Sequence, residues 1–139
     1  MRILQWTILG GLILAMGCGT SGPTLAQLSG TVTFKGQPVP AGYITFTPGV
    51  GVGAVRVVQI KDGRYDTSEM IGEKGVHPGA NTVVIAGFDG KVVKLWGQGK
   101  QIFNPVNDQF VVPAGPSTKD FVVPETAGKN VKVEPTADE

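Results

Sequence analysis

The sequence predicts an all-β domain, a sandwich or barrel of about seven or eight short strands. Three observations predict it. Val and Thr cluster in short runs in which apolar residues fall at every second position. Turn signals built on Gly, Pro and Asp-Gly separate those runs. With 21 Gly and 10 Pro among 139 residues and few aromatics, the composition suits a sheet protein rich in turns. The length fits one such domain, expected over residues 27–134.

The first predicted strand opens at Gln27. Leu28, Gly30, Val32 and Phe34 share its inward face, and Ser29, Thr31, Thr33 and Lys35 its outward face. Gly36 to Pro40 break it, so that the next strand is expected to pair back antiparallel. That second strand turns Ile44 and Phe46 inward and Tyr43, Thr45 and Thr47 outward, and Pro48 stops it. Phe34 and Phe46 are thereby expected to meet in one core layer.

After the Gly49–Gly53 loop, Ala54 to Lys61 reads as a third strand with Val58 and Ile60 inward and Arg56 near the sheet edge. Asp62-Gly63 is a hairpin signal, because a tight two-residue turn needs positive φ. Arg64 to Thr67 continues as a short strand with Tyr65 inward. Ser68 to Val76 is the one stretch with helical character. His77-Pro78-Gly79 turns the chain into a strand at Asn81–Ala86, with Val83 and Ile85 inward. Asp89-Gly90 leads into a predicted strand at Lys91–Trp96. Gly97 to Pro116 reads as mostly loop, with a short strand at Gln109–Val112. Asp120–Val123 and Asn130–Glu134 close the set, with Phe121, Val123, Val131 and Val133 inward, and residues 135–139 form a frayed tail.

The N-terminus reads as an address. Arg2 supplies a short positive start, Ile3 to Met16 an apolar stretch, and small residues its close. This is the layout of a secretory signal peptide, expected over residues 1–17. The stretch is shorter than the roughly 20 apolar residues needed to span a bilayer. Its end, Ala15-Met16-Gly17-Cys18, resembles a bacterial lipobox, although Ala15 stands where Leu is favoured. The resemblance implies that Cys18 is lipidated and becomes the new N-terminus. Residues 18–26 would then be a lipidated cysteine and a polar tether. Stable attachment needs more than one acyl chain, which a lipidated N-terminal cysteine provides. Gly19, in place of the Asp that favours inner-membrane retention in such lipoproteins, points to the outer membrane or its periplasmic face.

The phrase from Leu28 to Pro48, LSGTVTFKGQPVPAGYITFTP, resembles the opening of carboxypeptidase-regulatory-like domains. Asp62-Gly63-Arg64-Tyr65, and Pro78-Gly79 followed by Val83 and Ile85, agree with it. The resemblance implies a small antiparallel Greek-key β-sandwich of about seven strands, transthyretin-like, of the kind found in planctomycete-type lipoproteins. It covers residues 28 to about 86 and leaves 87–128 unmatched. Asn81 stands where that family places an inward aromatic.

The chemistry is sparse. Charge is balanced: 12 Lys and Arg face 11 Asp and Glu, and removal of Arg2 with the leader would leave 11 against 11. Such a chain lacks the basic field that captures nucleic acid. His77 is the one histidine and reads as a surface turn residue. A catalytic base needs a nucleophile or an orienting partner, and the sequence names neither. No His/Cys cluster suggests zinc, and Asp62, Asp66, Asp89 and Asp108 lack calcium-loop spacing, so no cofactor is expected. Gly49 to Gly53 precedes a strand, so it fails as a phosphate loop. Trp96, Phe103 and Phe110 are expected to plug one end of the core. Exposed aromatics, Trp96 with Tyr43, would instead make a ligand contact, as on a carbohydrate-binding module. The expectation is a non-catalytic, membrane-anchored envelope module whose partner is an envelope protein or a glycan; the alternative in a different class is a hydrolase whose site the sequence does not reveal.

Overall fold

In the computed structural model, residues 24–92 and 97–131 are described. Among these residues nine strands form one sheet that curls back over its own core: β1 (Leu28–Phe34), β2 (Gln37–Pro38), β3 (Ala41–Pro48), β4 (Arg56–Lys61), β5 (Arg64–Asp66), β6 (Gly79–Phe88), β7 (Gln101–Val112), β8 (Ser117–Thr118) and β9 (Phe121–Val123). Two short 3-10 turns, Thr67–Glu69 and Glu125–Gly128, complete the regular structure, and no α-helix occurs among the described residues. No helix among those residues is long and apolar enough to cross a membrane.

The strand order is β2-β1-β5-β4-β3-β6-β7, antiparallel throughout. β8 and β9 add to β1 in parallel, each for two or three residues. The period-two reading of the inward faces holds. Leu28, Val32, Ile44, Phe46, Val58, Ile60, Tyr65, Val83, Ile85, Phe121 and Val123 are all buried. Burial of such side chains contributes roughly 1.5–3 kcal/mol each, so this alternation is the main stabilising pattern.

The pairing differs from the expectation in one consequential way. Lys35 (φ 51°) and Gly36 (φ 73°) make a two-residue turn, and within the stretch expected only as a break Gln37–Pro38 form β2, which pairs back on β1. β2 ends at Pro38, however, and β3 never pairs with β1; it lies between β4 and β6. Phe34 therefore stacks on Phe103 of β7, with ring centroids 5.0 Å apart, rather than meeting Phe46. Phe34 is half-buried, while Phe46 and Phe103 are fully buried.

The stretch read as mostly loop is the longest strand. β7 runs twelve residues and pairs with β6 along its length. Its register shifts between Ile85 and Gly87, opposite Asn104 and Pro105. A bulge on an outer strand is where proline's missing N–H disrupts the ladder least. Gly87 leaves room there for Phe103, whose ring lies only 2.4 Å from where a Cβ would stand.

Other expected elements shrink. The helical character of Ser68–Val76 reduces to the turn Thr67–Glu69, capped by Asp66, whose carboxylate accepts from the Ser68 N–H at 2.8 Å. Lys91 and Val92 are not in a strand, and the rest of the expected Lys91–Trp96 strand lies outside the described residues. Asn130 has φ 53° and ends a turn, and residues 132–134 of the expected last strand also lie outside.

A candidate binding groove where two strands part

β4 and β5 are joined by Asp62 (φ 50°) and Gly63 (φ 74°), the two positive-φ residues of a type I′ turn. The turn is held from outside: the Asp62 N–H donates to the Pro40 carbonyl at 2.9 Å and the Gly63 N–H to the Val39 carbonyl at 2.7 Å. The strands pair only at Lys61 and Arg64. From there β5 follows β1 and β4 follows β3. Between them opens a groove of about 740 Å³. That volume lies within the range of small-ligand sites, roughly 300–1,000 Å³.

Three consecutive residues of β4 line this groove, Val57, Val58 and Gln59. Alternate residues of a strand point to opposite faces. Val57, Gln59 and Lys61 therefore share one outward face of the groove, and because β4 pairs with β5 only at Lys61, the edge of β4 before it borders the groove as well. Tyr43 flanks it from β3, with its ring edge-on to Phe88 at 6.3 Å. Met70 and the fully exposed Ile71 flank the far end.

The charges are arranged along the groove. Lys61 and Arg64 stand at the closed end, where the strands meet, and Glu69 lies toward the Met70–Ile71 end. Asp120 accepts from the Thr31 N–H at 2.8 Å, and that bond, then one from the Thr31 hydroxyl, holds its carboxyl below the usual range. The Ser68 hydroxyl, then the Ser68 N–H, hold Asp66 low in the same way. Carboxylates held low in pKa are weak proton carriers near neutral pH, so this pair suits electrostatic recognition better than acid–base catalysis.

Of the sequence-predicted site residues, Tyr43 is placed on the groove. Cys18 and Trp96 lie outside the described residues. Phe103 is core, and Phe110 packs against Phe121 at 6.2 Å under the ammonium of Lys119. His77 is not the expected surface residue. It is buried beneath Gly53, which has only 2.2 Å between a would-be Cβ and the imidazole. Neither His77 ring nitrogen has a protein hydrogen-bond partner among the described residues. Asn81 is buried and donates its amide to the His77 carbonyl at 2.9 Å and the Gly79 carbonyl at 3.0 Å. It satisfies the turn that starts β6.

Lys61, Arg64, Asp66, Glu69 and Asp120 were not singled out as a set by sequence. The Asp-Gly hairpin signal placed Lys61 opposite Arg64, but nothing local announces that the strands separate one residue later. No protein-family model matches this chain, and no curated protein or solved structure matches it either.

Proposed function

We propose that this chain is an exported, lipid-anchored envelope protein whose β-domain is a non-catalytic binding module. The groove between β4 and β5 is its recognition site. The groove carries the reading: it is bordered by a strand edge, charged with opposite sign at its two ends, and furnished with carboxylates locked by hydrogen bonds. The address rests on residues 1–18, with Cys18 as the lipid acceptor and the outer membrane or its periplasmic face as the location. The fold proposed within the curled all-β sheet is the transthyretin-like Greek-key sandwich of carboxypeptidase-regulatory-like domains. The residue phrase from Leu28 to Pro48 supports it. The partner is an envelope protein or glycan reached from the membrane surface.

Two measurements test this. Metabolic labelling with a fatty-acid analogue is expected to mark the wild type and not Cys18→Ser; equal labelling removes the anchor. Thermal melts of the full chain with panels of envelope glycan fragments and peptides are expected to show stabilisation by one class, through preferential binding to the folded state. That stabilisation should vanish in Arg64→Glu. Unshifted melts across both panels refute the binding module.

A further inference from the structure

Resting on that reading of the groove, we infer that its ligand is an extended peptide with a free C-terminal carboxylate, which adds as a strand to the open edge of β4. Lys61 and Arg64 close a two-residue turn, so the N–H and C=O of Lys61 face β5. Backbone direction alternates along a strand, so those of Gln59 and Val57 point the same way. β5 has left by then, and these groups face the groove. Those of Val58 and Ile60 point to β3, where the ladder with Ile44 and Gly42 is complete.

An open edge carrying apolar side chains is a template for another strand, and proteins usually blunt such edges. Here Val57 is half exposed at the centre, and within β4 itself charge stands only at the two ends, Arg56 and Lys61. From Arg56 to Ile60 the edge is five residues long, about 16 Å at 3.3 Å per residue. It accepts four or five peptide residues. Charge fixes the direction: the peptide carboxylate lies at Lys61 and Arg64, and its N-terminal end lies toward Glu69, with an apolar residue against Met70 and Ile71. The strand then runs parallel to β4. A sugar is the weaker fit. Glycans are held by flat aromatic faces, and among the described residues the one aromatic flanking the outward side, Tyr43, is already engaged with Phe88.

Hydrogen exchange of the full chain in detergent micelles tests the inference. The probe is an equimolar library of random pentapeptides with free carboxylates, set against the same library amide-capped. The free-acid library is expected to slow exchange at Val57 and Gln59 about tenfold when present at ten times its Kd, and the capped library far less. Gln59→Pro removes one groove-facing donor while leaving the β3 ladder intact, and is expected to abolish the protection. Lys61→Glu, a surface charge change, is expected to do so without altering the fold, and it carries the test should Gln59→Pro not fold. Absence of protection, or equal protection by the capped library, overturns the inference. Protection by envelope glycan fragments alone also overturns it, while leaving the binding module standing. Protection that grows with protein concentration in the absence of peptide overturns it in favour of a second copy of the chain at this edge.

Discussion

The Tyr65 hydroxyl donates to the Lys119 carbonyl at 2.6 Å, across the backbone of Gly30. Tyr65 sits on β5, at one edge of β1, and Lys119 links β8 to β9 at the other edge. The Lys119 N–H in turn donates to the Ser29 carbonyl at 2.9 Å. The two short parallel strands are thus fastened to β1 by a phenol that reaches over it. This crossing requires Gly30, because a Cβ there would stand 2.0 Å from the Lys119 oxygen.

Gly30→Ala is expected to be among the most damaging single-methyl changes in the domain. The clash is with backbone, which cannot swing away, so the cost should match or exceed the ~1–3 kcal/mol of overpacking. Tyr65→Phe removes only the donor and should cost about 1–3 kcal/mol for the unpaired carbonyl. Urea melts should rank Gly30→Ala above Tyr65→Phe; the reverse order would mean that β8 and β9 can shift to make room.

The same bond has a pH signature. Burial, then the Asp120 charge, raises the Tyr65 phenol above its ordinary value of 10.0. An acid whose folded pKa is raised contributes stability that is complete below the unfolded pKa and is lost as pH rises toward the folded one. Stability should therefore fall from about pH 10 upward, and more steeply in wild type than in Tyr65→Phe. Asp120 behaves oppositely. Its pKa is lowered by the Thr31 N–H, then by the Thr31 hydroxyl, so its contribution is present above the ordinary value of 3.8 and lost as pH falls below it. Asp120→Asn should flatten the acid limb of a denaturation profile recorded across pH 2 to 6. Parallel limbs in wild type and variant would contradict the hydrogen-bond assignment.

The phenylalanines separate the core layers. Phe46→Ala and Phe103→Ala each empty a fully buried site and should cost about 3–5 kcal/mol. Phe34, half-buried on Phe103, should cost less. Phe34→Ala and Phe103→Ala should be non-additive, because the rings touch, whereas Phe34→Ala and Phe46→Ala should add. Coupling between Phe34 and Phe46 in a double-mutant cycle would contradict the observed topology and restore the hairpin pairing of β1 with β3.

That pairing shows where sequence reading stops. The inward phase of every early strand was legible because side chains alternate with a period of two, a local property. The partner of a strand is not local. Pro38 and Pro40 end β2 after two residues, and β3 is free to join β4 and β6. β7 was hidden for a different reason. Asn104, Pro105, Asn107 and Asp108 are turn formers, yet pairing with β6 overrides their preference, and the bulge takes the proline. Tyr43 was legible as an outward residue of its strand, but the groove beside it was not. Lys61 and Arg64 were legible as a turn but not as a site, since a groove is made by strands that separate.

Asp89 makes the last prediction, at the base of the stretch that carries Trp96. Its Oδ1 accepts from the Lys91 N–H and the Lys100 N–H, each at 3.0 Å. One carboxylate oxygen therefore ties together the two ends of residues 91–100. The Asp89 N–H donates to the Lys100 carbonyl at 2.9 Å and the Gly90 N–H to the Gln98 carbonyl at 3.0 Å, which closes the base a second time. The Lys91 N–H is the first cause of the lowered Asp89 pKa. Asp89→Asn keeps an oxygen acceptor and should leave exchange at Lys91 and Lys100 close to wild type. Asp89→Ala removes it and should speed exchange at both amides together, with the body of β6 before Phe88 unaffected because its ladder to β7 is independent. Protonation leaves Asp89 a neutral oxygen acceptor, so as pH drops through the lowered pKa wild type should approach Asp89→Asn and not Asp89→Ala. Faster exchange at only one of the two amides would show that Asp89 caps a turn and does not close the stretch.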